Sequence, residues 1–184
     1  MKKSKNLLVF IIGALLFIFS INYDNAVNLF FSSSRTVFFD LIFSLITNFG
    51  IFLMVMFVIP IIINYKSDRK FVQYLSMSLS ASFLLSFIMK ITISSARPVE
   101  IAYPMLKGLE YSFPSMHSMI AFSLLPVLLS KKSQLNRFFA VFAVLIAVSR
   151  IYLGYHYLSD VVFGAFAGYF IGDIMANISK NENK

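Results

Sequence analysis

Residues 41–63 read LIFSLITNFGIFLMVMFVIPIII, 23 residues without a single charge. An α-helix rises about 1.5 Å per residue and a bilayer's hydrocarbon layer is about 30 Å thick, so roughly 20 such residues cross it. Comparable runs flank this one at 7–23 and 71–90. Further along, 115–130, 138–155 and 158–178 are shorter or interrupted, the first by His117, the second by Arg150, the third by two Asp. The pattern predicts an all-α polytopic membrane protein, a six-transmembrane-helix bundle with short loops. Residues 24–34 are too polar to span and are expected to form an interfacial helix, with Leu29, Phe30 and Phe31 dipping into the bilayer.

Composition agrees. The 184 residues are 59% hydrophobic and 13% charged, with a mean hydropathy of +0.81. Soluble domains hold about 45–50% apolar and about 25% charged residues, so a soluble fold would expose too much apolar surface. Disorder is excluded by the abundance of Phe and Ile. The absence of Cys removes disulfides, thiolate metal sites and a cysteine nucleophile. With no repeat or long linker, residues 1–184 form one membrane-embedded domain.

Basic residues set the orientation. Of the 16 Lys and Arg, 11 lie before the first span, between the second and third, between the fourth and fifth, or after the sixth. Six spans put all of these on one side, the cytoplasm, together with both termini. The net charge of +8 is thereby explained by topology, and no nucleic-acid partner is expected. The first span resembles a signal peptide in its basic start, but Ser20–Asp24 offers no clean small-x-small cleavage site, so an uncleaved anchor is expected. Gly164, Gly168 and Gly172 recur every four residues, a spacing that lets helices approach closely. Ser78, Ser82 and Ser86 make a second stripe, and Lys90 continues it one turn on.

Five basic residues remain: Arg35, Lys90, Arg97, Lys107 and Arg150. Arg35 and Lys107 fit no pattern and are read as interfacial. The other three converge with both histidines of the chain, His117 and His156, on the extracytoplasmic ends of the spans. Ionisable groups at membrane depth are costly and face polar cavities. Three cations, two of them with the planar fork of arginine, suit phosphate. Pro114 suits a first helical turn, after which the backbone N–H groups of Ser115, Met116 and His117 are expected to form an anion site, with the Ser115 hydroxyl as a further donor. His156 and Asp160 are spaced i,i+4, as a carboxylate orienting an imidazole requires. Arg150 and His156 do not share a helical face, so a break is expected near Gly154. His117, from another helix, is then free to protonate a leaving oxygen.

Lys90-x6-Arg97-Pro98, Pro114-Ser115-Met116-His117 and Ser149-Arg150-x5-His156-x3-Asp160 together resemble the three-part signature of the type 2 phosphatidic acid phosphatases. The resemblance implies metal-independent hydrolysis of a lipid phosphomonoester or pyrophosphate at the outer leaflet. It casts His156 as the nucleophile that becomes a phosphohistidine, Asp160 as its orienting group and His117 as the general acid. Lys90, Arg97, Ser115, Met116 and Arg150 would then bind the phosphate. The family usually has Gly where this chain has Met116, which puts a more apolar wall there and bears on substrate choice.

The expected protein is a lipid phosphatase of a bacterial inner membrane, with undecaprenyl pyrophosphate as its best single substrate. A lipid phosphotransferase and a lipid A phosphatase are close variants, and a non-catalytic anion-binding membrane protein is the rival of another class. No cofactor and no metal is expected, since two His without Cys make a poor transition-metal site. The expected partners are the lipid phosphate and the bilayer itself. The loop 99–113, with Glu100 and Glu110, is a candidate gate.

Overall fold

The computed structural model describes residues 2–98, 110–131 and 133–182, with side chains from Phe10 onward, and these residues form helices and connecting turns without a strand. Lys107, Glu100 and the rest of 99–109 lie outside the described residues, as do Lys132 and Lys184. The helices are α1 (Lys2–Ser33), α2 (Val37–Ile46), α3 (Phe49–Leu53), α4 (Ile59–Asn64), α5 (Arg69–Ile93), α6 (Met116–Leu129), α7 (Asn136–Tyr152) and α8 (Leu158–Asn181). A π-helical segment, Met54–Val58, joins α3 to α4.

The expected interfacial helix at 24–34 is not a separate element, because α1 continues through it to Ser33. Residues 24–33 contain neither Gly nor Pro to end the helix. The polar residue that suggested an exit from the bilayer has a partner inside the bundle. Asp24 accepts hydrogen bonds from the Ser159 N–H at 2.8 Å and the Ser159 hydroxyl at 2.6 Å, in the first turn of α8. A carboxylate there complements the partial positive charge of a helix N-terminus.

The stretch 41–63 is likewise not one straight span. It breaks at Thr47–Asn48, and the two helical parts, Val37–Ile46 and Phe49–Asn64, meet at a bend of 49°. Asn48 makes the break, because its side-chain oxygen takes the Gly50 N–H at 3.1 Å and the Ile51 N–H at 3.3 Å and starts a new helix. Downstream, Pro60 lacks an N–H, and the preceding turn widens so that the Ile59 N–H reaches Met54 O.

Among the described residues, three helical stretches, Phe10–Ser33, Arg69–Ile93 and Leu158–Asn181, are long and apolar enough to cross a membrane, four if the bent pair counts as one span. By the same rise, the 14 residues of α6 reach about 21 Å and the 17 of α7 about 26 Å. Both are shorter than a full crossing. Their shortness follows from where they end: α6 begins, and α7 stops, at the level of the polar residues described below.

The core forms around α6, in which 11 of 14 residues are buried. The glycine stripe seats α8 against it. A Cβ at Gly168 would lie 2.1 Å from Met119 O, one at Gly172 2.1 Å from Ser123 O, and one at Gly164 2.7 Å from Ser115 O. No side chain fits at such distances, so the stripe is the contact itself. The serine stripe of α5 faces inward too, with Ser78, Ser82, Ser86 and Lys90 all buried. Ser78 donates to Ser123 O at 2.6 Å, and Ser123 donates to the Ser82 hydroxyl at 2.9 Å. The outer faces carry exposed Leu15, Leu29, Phe38, Ile62, Leu84 and Val141, an apolar periphery suited to lipid.

Candidate active site

The C-terminal ends of α5 and α7, the N-terminal end of α6, the turn before α8 and the break between α2 and α3 meet around a cavity of about 490 Å³. Lys90, Arg97, Met116, His117, Arg150 and His156 all line it. Three separated stretches of the chain therefore do converge.

Local backbone features deliver each residue. After Lys90, α5 ends at Ser94, a non-glycine residue in the left-handed region with φ of 50°. Ser95 then receives the incoming chain, its carbonyl accepting from the Ser112 N–H at 2.8 Å and its hydroxyl from the Phe113 N–H at 2.8 Å. This pins the segment carrying Arg97 to the one leading into α6. The predicted break after Arg150 is present: Gly154 has φ of 72°, and the N–H groups of Tyr155 and His156 both reach back to Arg150 O at 3.1 Å. Only a residue that tolerates the left-handed region closes α7 in this way.

His156 is 2% exposed and precedes α8 rather than sitting on it, so its pairing with Asp160 is made across the helix start. Nδ1 lies 3.5 Å from Asp160 Oδ2. That oxygen also accepts from the Tyr157 N–H at 2.9 Å and from the Ser112 hydroxyl at 2.5 Å. Ser112 Oγ is 3.4 Å from His156 Nδ1 as well, so the serine bridges the pair. On the ring's other side, Arg97 Nη1 approaches Nε2 at 3.4 Å. A guanidinium only donates, so this contact is made by the tautomer that carries its proton on Nδ1, beside Asp160 and Ser112. This tautomer leaves Nε2 available to an electrophile.

Arg97 is held by Glu110 O at 2.7 Å through Nε and by Tyr155 O at 2.8 Å through Nη1. Lys90 is 1% exposed and donates to Tyr111 O at 2.6 Å and Ser112 O at 3.0 Å. The Arg150 guanidinium lies 4.5 Å from the centre of the Tyr155 ring and donates to the Thr47 hydroxyl at 2.9 Å. His117 packs against Phe49 and Phe52, with ring centres 5.2 Å and 5.8 Å away. Its Nε2 is buried and has no hydrogen-bond partner among the described residues.

Two expected phosphate contacts differ from the sequence reading. Ser115 occupies the N-cap position of α6 but is wholly buried and does not line the cavity, and its hydroxyl accepts from Ser118 Oγ at 3.1 Å. The Ser115 N–H is already committed to Asp160 O at 3.1 Å, so it does not join an open anion nest. It acts instead as a tie between α6 and α8. Met116 does line the cavity.

Sequence reasoning missed Ser112, Thr47 and Tyr155. Thr47 and Asn48 carried a usable signal, being adjacent polar residues inside a 23-residue apolar run. Ser112 carried none, since a serine two residues before a proline is ordinary turn composition. Arg35 pairs with Asp40 through two contacts, 3.0 and 3.1 Å, away from the cavity. Among the described residues no three His, Cys, Asp or Glu side chains gather as a metal site.

The fold matches those of two solved proteins. A transmembrane PAP2-type phosphatidylglycerolphosphate phosphatase from Bacillus subtilis superposes with a TM-score of 0.75 at 21% identity, covering 95% of this chain and 96% of that one. LpxE of Aquifex aeolicus superposes with a TM-score of 0.65 at 23% identity, over 86% of this chain and 94% of that one. In sequence, phosphatidylglycerophosphatase B of Bacillus subtilis (strain 168) is 38% identical over 92 residues, 44% of each protein. The match thus spans less than half the length of that relative. The PAP2 superfamily model matches residues 70–184, which contain both histidines and all the cavity-lining cations. This chain belongs to the PAP2 superfamily.

Proposed function

We propose that the protein is a bacterial membrane-integral lipid phosphatase that works through a phosphohistidine at His156. The observation that carries this reading is the state of the His156 ring, its Nδ1 facing Asp160 and Ser112 while Nε2 faces Arg97 inside a cavity shared with His117, Lys90 and Arg150. Nε2 attacks the terminal phosphorus in line, the bond from that phosphorus to the leaving oxygen breaks (the ester oxygen of a lipid monophosphate, or the bridging oxygen of a pyrophosphate, which stays with the lipid), and His117 gives that oxygen a proton. A water molecule then attacks the phosphohistidine, its proton goes to His117, and the P–N bond breaks to release inorganic phosphate. Asp160 accepts the Nδ1–H and balances the cation that forms on the ring. Arg97, Arg150 and Lys90 stabilise the charge on the transferring group.

An apolar outlet supports a lipid substrate. Phe49 and Phe83 line both the cavity and a neighbouring groove of about 370 Å³ bounded by Leu53, Leu79, Ser80 and Leu84. A phosphate in the cavity thereby has an acyl or prenyl chain's path beside it. In this reading the chain crosses the inner membrane six times, with recessed α6 and α7 as short crossings, both termini in the cytoplasm and the site on the extracytoplasmic side. The basic residues between spans support that orientation.

Undecaprenyl pyrophosphate is the proposed substrate. Phosphatidylglycerophosphate is the second reading, favoured by the relative named for that activity. Release of inorganic phosphate from each lipid by purified protein in detergent tests both. Faster release from one assigns the substrate, release only with an acceptor lipid indicates a phosphotransferase, and binding without release indicates a non-catalytic anion-binding protein.

A further inference from the structure

The break between α2 and α3 brings a residue from outside the three motifs into the cavity. No residue of α2 is buried, yet Thr47, the next residue after it, is 5% exposed. Its N–H closes α2 on Phe43 O at 2.9 Å, and Asn48 starts α3, so Thr47 is fixed between two caps. From there its hydroxyl oxygen accepts from Arg150 Nη1 at 2.9 Å across 103 residues of sequence. Thr47 lines the cavity together with His117. The helix that follows, α3, supplies Phe49 and Phe52, whose rings flank that histidine. Thr47, Asn48, Phe49 and Phe52 all precede the family match at 70–184.

A guanidinium on a flexible stem rotates about its last bonds, and a phosphate clamp needs its fork aimed. The Tyr155 ring covers the guanidinium face. The hydrogen bond from Nη1 to Thr47 helps fix the direction of the fork within that plane. We propose that Thr47 is a positioning residue, which orients the Arg150 fork so that it meets the same phosphate as His117. The N-terminal half of the chain, on this account, tunes a site whose motifs all lie in the C-terminal half. The proposal rests on the phosphatase reading for its kinetic consequence, but not for its consequence for anion binding.

The test compares Thr47→Val, Thr47→Ala and Thr47→Ser with wild type in detergent. Two quantities are read: the affinity for inorganic phosphate by calorimetry, and kcat and KM for phosphate release from dioctanoyl phosphatidic acid. A lost hydrogen bond to a buried charged group is expected to weaken phosphate binding and kcat/KM about tenfold to a hundredfold in the Val and Ala variants. Ser keeps the hydroxyl and is expected to stay within about threefold of wild type. A role in packing alone would impair Ser and Ala equally, since both lose the methyl group. That result, or wild-type phosphate affinity in Ala, would overturn the proposal. Should Val fail to fold, the Ser–Ala pair still isolates the hydroxyl. Wild-type protein that releases no phosphate, while Ala binds phosphate more weakly than Ser, would sink the phosphatase reading and leave the positioning role standing.

Discussion

Ser112 donates a hydrogen bond of 2.5 Å to Asp160 Oδ2, the same oxygen that faces His156 Nδ1 at 3.5 Å. The carboxylate's closest partner is thus a serine outside the signature, wholly buried and also 3.4 Å from the imidazole. Ser112→Ala leaves Asp160 the Tyr157 N–H but loosens the orientation of the ring. We expect kcat to fall about tenfold, with KM little changed, in steady-state phosphate release. Equal kcat in variant and wild type would mean that Asp160 aligns the ring unaided.

Arg97→Lys and Arg150→Lys keep the charge and lose the fork. Arg97 uses Nε and Nη1 on two different carbonyls, a pair of contacts that no single ammonium reproduces with the same aim. Each substitution is expected to lower kcat/KM by about tenfold to a hundredfold. Rates at the wild-type level would assign both residues to anchoring the helix ends instead.

The groove beside the cavity predicts a dependence on chain length. Leu79 lines it without lining the cavity. Leu79→Trp is expected to reduce kcat/KM about tenfold for a dioleoyl lipid phosphate and to leave a dihexanoyl analogue near wild type. An equal loss with both lipids would place the tail elsewhere.

Gly168 tests the packing that sets the level of the site. An added Cβ would fall 2.1 Å from Met119 O, an atom of helix backbone that cannot swing aside. Gly168→Ala is expected to cost about 1–3 kcal/mol and to lower the apparent melting temperature in detergent. Gly50, whose Cβ would meet only the Asn48 side chain at 3.3 Å, makes a milder control.

The polar cluster was legible because its residues are anomalous where they stand: a Lys, two Arg and two His at the ends of apolar helices have few other uses. Gly154 was legible for a similar reason, since the spacing from Arg150 to His156 required a break. What escaped depends on contacts between distant parts of the chain. Asp24 looked like the end of a span because Ser159, its partner, lies 135 residues away. Thr47 and Asn48 sit inside a run long enough to cross a bilayer, and in sequence its apolar length outweighs two small polar groups, whereas in the fold they mark a 49° bend. Ser115 stands in sequence where a ligand-facing N–H is expected, whereas its N–H is taken by Asp160 O from another helix. Local periodicity carries no record of such pairings.

His156 bears the central claim, and its replacement tests it most directly. Purified His156→Ala, compared with wild type for phosphate release from undecaprenyl pyrophosphate and phosphatidylglycerophosphate, is expected to lose at least about 10³-fold in turnover while its melting temperature is retained. Hydrolysis at a rate near wild type in that variant would contradict the assignment of the nucleophile.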